Sequence, residues 1–152
     1  MEAIRKESFK VIGIKTRTTN ENGQAAQDIP ALWSRFMNEQ VASNIPNKTD
    51  SSIYSIYTNY EGDYMKPYDT ILACEVSSLE NIPEGMVGVE IAASDYQKFS
   101  AAGDLSKGVV YNEWVNIWNT DIDRKYSADF EIYGAEAQNR EDAKVDIFVS
   151  IK

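Results

Sequence analysis

The sequence predicts an α+β domain. Two βαββ units related by a pseudo-two-fold axis share an antiparallel sheet, with the helices on one side and a groove between the units on the other. Three observations carry this. Strand-like runs rich in β-branched and aromatic residues alternate with two segments of helical periodicity, in the order strand, helix, strand, strand. The same order returns after the punctuation Ile82-Pro83-Glu84-Gly85. Matching pieces lie nearly half the 152-residue chain apart: Val11 with Val87, Trp33 with Trp114, Ile71 with Val145.

The elements follow in order. Phe9–Thr16 reads as a strand, and the polar stretch Arg17–Gln27 as a loop. Asp28-Ile29-Pro30 opens a helix, with an acidic cap candidate and a proline in the first turn. Ile29, Leu32, Trp33, Phe36, Met37, Val41 and Ile45 form its apolar stripe. Ser52–Tyr60 and Thr70–Val76 are strands joined by the loop Glu61–Tyr68. The first unit spans about 9–77. The second, about 86–152, begins with the strand Met86–Ala92. Its helix lies within Leu105–Ile122 and carries Val110, Trp114, Ile117 and Trp118. The strands Asp129–Tyr133 and Lys144–Ile151 complete it. The whole chain, 1–152, reads as a single domain.

Composition removes most catalytic machinery. There is no histidine and one cysteine, so Ser-His-Asp and Cys-His systems, His-ligated zinc or haem, and multi-cysteine metal sites within one chain are excluded. No cofactor and no metal site is expected. Cys74 has no partner for an internal disulfide, and Met1–Ser8 has no apolar signal core. No run reaches a membrane span. A cytoplasmic location is the expectation, without membrane association. A net charge of −9 with scattered Lys and Arg argues against direct nucleic-acid binding and favours cations. Aromatic residues make up 11% of the chain, and nine of them are tyrosines, which suit half-wet clefts.

Strand alternation separates two faces. Phe130 and Ile132 are assigned to the helices, leaving Glu131 and Tyr133 in the groove. In the last strand Val145, Ile147, Val149 and Ile151 take the core face, and Phe148 looks into the groove. The facing of Tyr57 is ambiguous, since either side of Ser52–Tyr60 suits a core. Trp114 and Trp118, four residues apart, stack along one helix face with Tyr111 beside them; they fit core packing as well as a groove floor. A carboxylate flanked by aromatics needs a partner or a proton once buried. Glu131 is therefore either the countercharge of a cationic ligand or a solvated residue paired with a surface lysine.

Several segments taken in order resemble the GyrI-like, or AraC-type effector-binding, superfamily, and its integron-associated branch above all. They are IPALWSRF (29–36), IYSIYTNYEGD (53–63), YDTILACEV (68–76), IPEGM (82–86), the Trp114–Trp118 segment, DFEIY (129–133) and VDIFVSIK (145–152). The resemblance implies two βαββ repeats, a ligand groove between them, and small amphipathic, often cationic, ligands. It carries the groove glutamate onto Glu131, the following tyrosine onto Tyr133 and the helix tryptophan onto Trp114. The relatives that regulate transcription add a DNA-binding region, which is not found in this sequence. The expected role is a stand-alone module binding lipophilic, cationic organic compounds. Two alternatives stay open. One is a cofactor-independent hydrolase of strained, cyclopropane-type electrophiles, with Glu131 activating water and Tyr133 or Tyr57 steadying the leaving group. The other is a protein-interaction inhibitor. Exposed strand edges are compatible with a monomer, a homodimer or a protein partner.

Overall fold

The computed structural model describes residues 3–152. The strands are β1 (Ala3–Lys6), β2 (Phe9–Thr18), β3 (Ile53–Thr58), β4 (Tyr68–Val76), β5 (Val87–Ile91), β6 (Ser94–Gly103), β7 (Ala128–Tyr133) and β8 (Ala143–Ile151). The helices are α1 (Ala25–Asn38), α2 (Val41–Asn44) and α3 (Val109–Trp118). All eight strands join one antiparallel sheet in the order β1-β6-β8-β7-β3-β4-β2-β5. The α+β class and the antiparallel sheet match the expectation. β3 and β7, each the first strand after a long helix, lie side by side at the centre.

One face of the sheet closes on itself. Phe9 of β2 meets Phe130 of β7 at 5.3 Å between ring centroids, although β3 and β4 separate the two strands in the sheet. The sheet must curl for that contact to form. Its inner core holds Val11, Tyr54, Ile56, Ile71, Tyr96, Phe130 and Phe148. The other face carries the helices. Leu32 and Phe36 of α1 pack on Ile12, Ile14 and Leu72, while Trp114 and Ile117 of α3 pack on Phe99, Ile147 and Val149.

Register decides which side chains share a face. Phe130 pairs with Phe148, and Glu131 with Ile147. Directly paired residues point the same way. Glu131 therefore lies on the helical face with Ile147, and Phe130 lies inside the curl with Phe148. This corrects the sequence reading twice. Phe130 belongs to the helix-free core, and Phe148, expected in the groove, is 5% exposed and stacked on Phe130 at 5.1 Å. The assignment of Val145, Ile147 and Val149 to a buried face stands.

Other boundaries shift for identifiable reasons. β6 escapes pattern reading because it buries different faces at its two ends: Tyr96 enters the inner core, whereas Phe99 faces α3. Strict alternation from one buried face is thereby lost. β6 is the strand that precedes α3. The expected counterpart, Met86–Ala92, is β5, which pairs with β2 itself, so that Val11 opposes Val89. α1 starts at Ala25, and Pro30 lies inside it. The Asp28 carboxylate accepts hydrogen bonds from the Thr18 hydroxyl (2.8 Å) and the Gln24 amide (3.0 Å) instead of capping the helix. Gln40, at φ 50°, breaks the expected continuous helix before α2. Met37 of the expected stripe, near the end of α1, is 59% exposed.

Candidate functional site

On the helical face, α1 and α3 stand apart over β3 and β7. The space between them is a cavity of about 660 Å³, closed on a third side by the loop 59–67. The groove is therefore on the helix side of the sheet and not opposite the helices. The same geometry brings together residues far apart in sequence. Tyr57 comes from β3, Glu131 and Tyr133 from β7, Trp33 from α1, and Tyr111, Trp114 and Trp118 from α3.

Glu131 is 2% exposed and forms no ion pair among the described residues. Its partners are three neutral donors. Trp114 Nε1–H donates to Oε2 at 2.6 Å, and the Tyr57 hydroxyl donates to Oε2 at 2.8 Å. The Tyr133 hydroxyl donates to Oε1 at 2.6 Å. Ser55 in turn donates to the Tyr57 oxygen at 3.2 Å. Burial pushes the Glu131 carboxyl above its ordinary range, and the bonds from Tyr133, Trp114 and Tyr57 pull it part of the way back. Burial and then the Glu131 charge hold the Tyr57 and Tyr133 hydroxyls well above theirs, and Tyr68 is pushed up to about 12.

Two residues away on the same face of β7, Asp129 has the opposite solution. It is fully buried, yet Arg124 Nη2 donates to it at 2.7 Å, Tyr60 at 2.6 Å, and the Ser150 amide and hydroxyl at 2.7 and 2.9 Å. Two buried carboxylates thus share a face, one with an internal cation and one with none among the described residues.

The walls are aromatic and packed edge-to-face. Tyr57 meets Trp114 at 5.6 Å and 90°, and Trp33 meets Tyr133 at 4.9 Å and 76°. At the rim Tyr64 stacks flat on Trp118 at 5.2 Å, with Tyr111, 63% exposed, against its edge. Of the residues singled out in the sequence, Glu131, Tyr133, Trp114, Trp118, Tyr57 and Tyr111 line the cavity, and Phe148 does not. Trp33, Tyr60, Tyr64, Tyr68 and Arg124 also line it and were not anticipated. Trp33 sits on the α1 stripe and read as core. The others, Tyr68 apart, lie in connecting segments, where no periodicity marks a facing. Among the described residues, no three His, Cys, Asp or Glu side chains come together as a metal ion requires, and no helix is long and apolar enough to cross a membrane.

Comparison with known proteins adds to this geometry. The family described as integron-associated effector binding protein matches residues 3–151. YobU of Bacillus subtilis strain 168, named as a candidate transcriptional regulator, is 27% identical over 144 residues, covering 92% of this chain and 90% of its own. An integron cassette protein from the mobile metagenome of Vibrio cholerae superposes with a TM-score of 0.77 at 28% identity, over 99% of this chain and 95% of that one. The protein SAV2435, solved with tetraphenylphosphonium bound, has the same fold, with a TM-score of 0.80 at 21% identity over 99% and 93% of the two chains.

Proposed function

The chain belongs to the integron-associated effector-binding protein family, and from that premise we propose that its cavity binds lipophilic organic monocations with Glu131 as the countercharge. The observation that carries this is a fully buried carboxylate, held by three neutral donors and by no cation among the described residues, at the floor of an aromatic cavity. Hydrogen bonds orient such a carboxylate without neutralising it. A buried ion left in that state is costly, and a cation entering the cavity relieves the cost.

The walls fit the same ligand class. The rings of Trp33, Tyr57, Trp114 and Tyr133 present faces or edges to the cavity, and each face over a desolvated cation contributes about 0.5–2 kcal/mol. Aromatic faces accept many shapes, so specificity rests on charge and size more than on outline. The volume of about 660 Å³ lies in the range of drug-sized sites. The cation in the SAV2435 structure, tetraphenylphosphonium, has the matching chemistry and is the natural probe.

Two ions of one shape and opposite charge give the test. Tetraphenylphosphonium is expected to quench the cavity tryptophans saturably, whereas tetraphenylborate should leave their fluorescence unchanged at equal concentration. Equal binding of both ions would show that the aromatic surface, and not the carboxylate, does the binding.

A further inference from the structure

The cavity has a second polar pole that countercharge binding leaves unused. Arg124 lies between α3 and β7, is 8% exposed and lines the cavity. Nη2 is engaged by Asp129 at 2.7 Å. Nε and Nη1 are buried with no acceptor among the described residues. A guanidinium cannot shed its proton to relieve this. Aromatic ring faces flank it: Tyr126 lies over it at 4.3 Å, held in the left-handed region at φ 56°, and Trp114 lies at 5.9 Å. That same Trp114 donates its indole N–H to Glu131. A buried donor without an acceptor is a standing cost, which an incoming acceptor removes.

The charges of the site decide which acceptor fits. Glu131 and Asp129 contribute two negative charges and Arg124 one positive charge, so the enclosed site carries net −1. A monocation completes it. A ligand carboxylate would add an unpaired negative charge beside two others. A dication would bring a second positive charge up to Arg124. Only a neutral acceptor satisfies the free guanidinium N–H groups without upsetting that balance. Asp129 and Glu131 are two residues apart on one strand face, about 7 Å, which sets the scale between the two poles.

We propose that Arg124 is a specificity-determining residue: resting on the reading that Glu131 holds the cation, its free N–H groups donate to a carbonyl or ether oxygen on the same ligand. The preferred ligand class is then a lipophilic monocation bearing a neutral hydrogen-bond acceptor several ångströms from its charged centre.

The test is a series of ω-ketoalkyl triphenylphosphonium ions with the carbonyl at increasing distance from phosphorus, each titrated beside the n-alkyl ion of equal length. In the wild-type protein the best-spaced ketone should bind roughly tenfold more tightly than its alkyl counterpart. Arg124→Lys keeps a cation for Asp129 but lacks the spare planar donors. It should bring the ketone-to-alkyl affinity ratio to about one, whatever happens to the alkyl affinity itself. Equal affinities across the wild-type series, or a preference that survives in Arg124→Lys, would overturn the assignment. If Arg124→Lys does not fold, the wild-type ratio alone decides. Glu131→Gln separates this inference from the one it rests on. It should weaken ketone and alkyl ions together with their ratio preserved. If it weakens neither, the countercharge reading falls, while the ratio in Arg124→Lys still judges Arg124.

Discussion

Replacing Glu131 by glutamine removes one charge and almost no volume. An amide oxygen in the Oε2 position can still accept from Trp114 Nε1 and the Tyr57 hydroxyl, and the amide nitrogen in the Oε1 position can donate to the Tyr133 oxygen once that hydroxyl turns. The change therefore isolates the electrostatic contribution. A phosphonium centre shielded by its phenyl groups approaches the carboxylate to about 6 Å, and at an effective dielectric constant of about 20 the attraction is about 2.8 kcal/mol. That is roughly a hundredfold in Kd. Because the carboxylate is 2% exposed, salt screens the pair little, and the ratio should hold between low and high ionic strength. The assay is a tryptophan-quenching titration of both proteins with tetraphenylphosphonium and with neutral triphenylmethanol. Triphenylmethanol should bind the two proteins alike. A loss of less than about fivefold for the cation, or an equal loss for the neutral compound, would refute the countercharge argument.

Three further outcomes follow. Burial raises the Glu131 carboxyl above its ordinary 4.5, so cation affinity should fall as pH drops through that raised value, and cation binding near it should release protons to the buffer. The stability sign is the reverse. The contribution of this group is fully present below its unfolded value and is lost as pH rises through the folded one, so Glu131→Gln should melt higher than wild type at pH 8, with the difference closing below about pH 4.5. Calorimetric melting across pH checks this, and a variant that is less stable at pH 8 would contradict it. Phe148→Ala tests which face holds the ligand: it should cost about 3–5 kcal/mol in denaturant unfolding while leaving tetraphenylphosphonium affinity within twofold, because Phe148 packs on Phe130 and Tyr96 inside the curl. A large affinity loss without destabilisation would return Phe148 to the site.

Much of the fold was legible because its central strands are apolar or alternating runs bounded by turn residues. β3, β4, β7 and β8 alternate or run apolar, and each was placed within a few residues. β1 was not, since its side chains are mostly exposed and only pairing with β6 makes it a strand. β6 was hidden by burial that changes face along its length. Alternation correctly separated Phe130 from Glu131 but does not say which side the helices occupy. That depends on the pairing of β7 with β8, a long-range fact. Hence Glu131, Tyr133 and Trp114 were found, while Phe148 was given to the wrong side. Arg124, Tyr60 and Tyr64 were out of reach, because irregular backbone aims them. We read the sheet order as support for two related units, β2-α1-β3-β4 and β6-α3-β7-β8, with β1 and β5 each pairing onto the other unit.

The position of a bound cation is decisive. A crystal structure with tetraphenylphosphonium should place phosphorus between α1 and α3, within about 6 Å of the Glu131 carboxylate, with Arg124 still paired to Asp129. A phosphonium bound elsewhere, or a Glu131 carboxylate turned to Arg124 and away from the ligand, would contradict it.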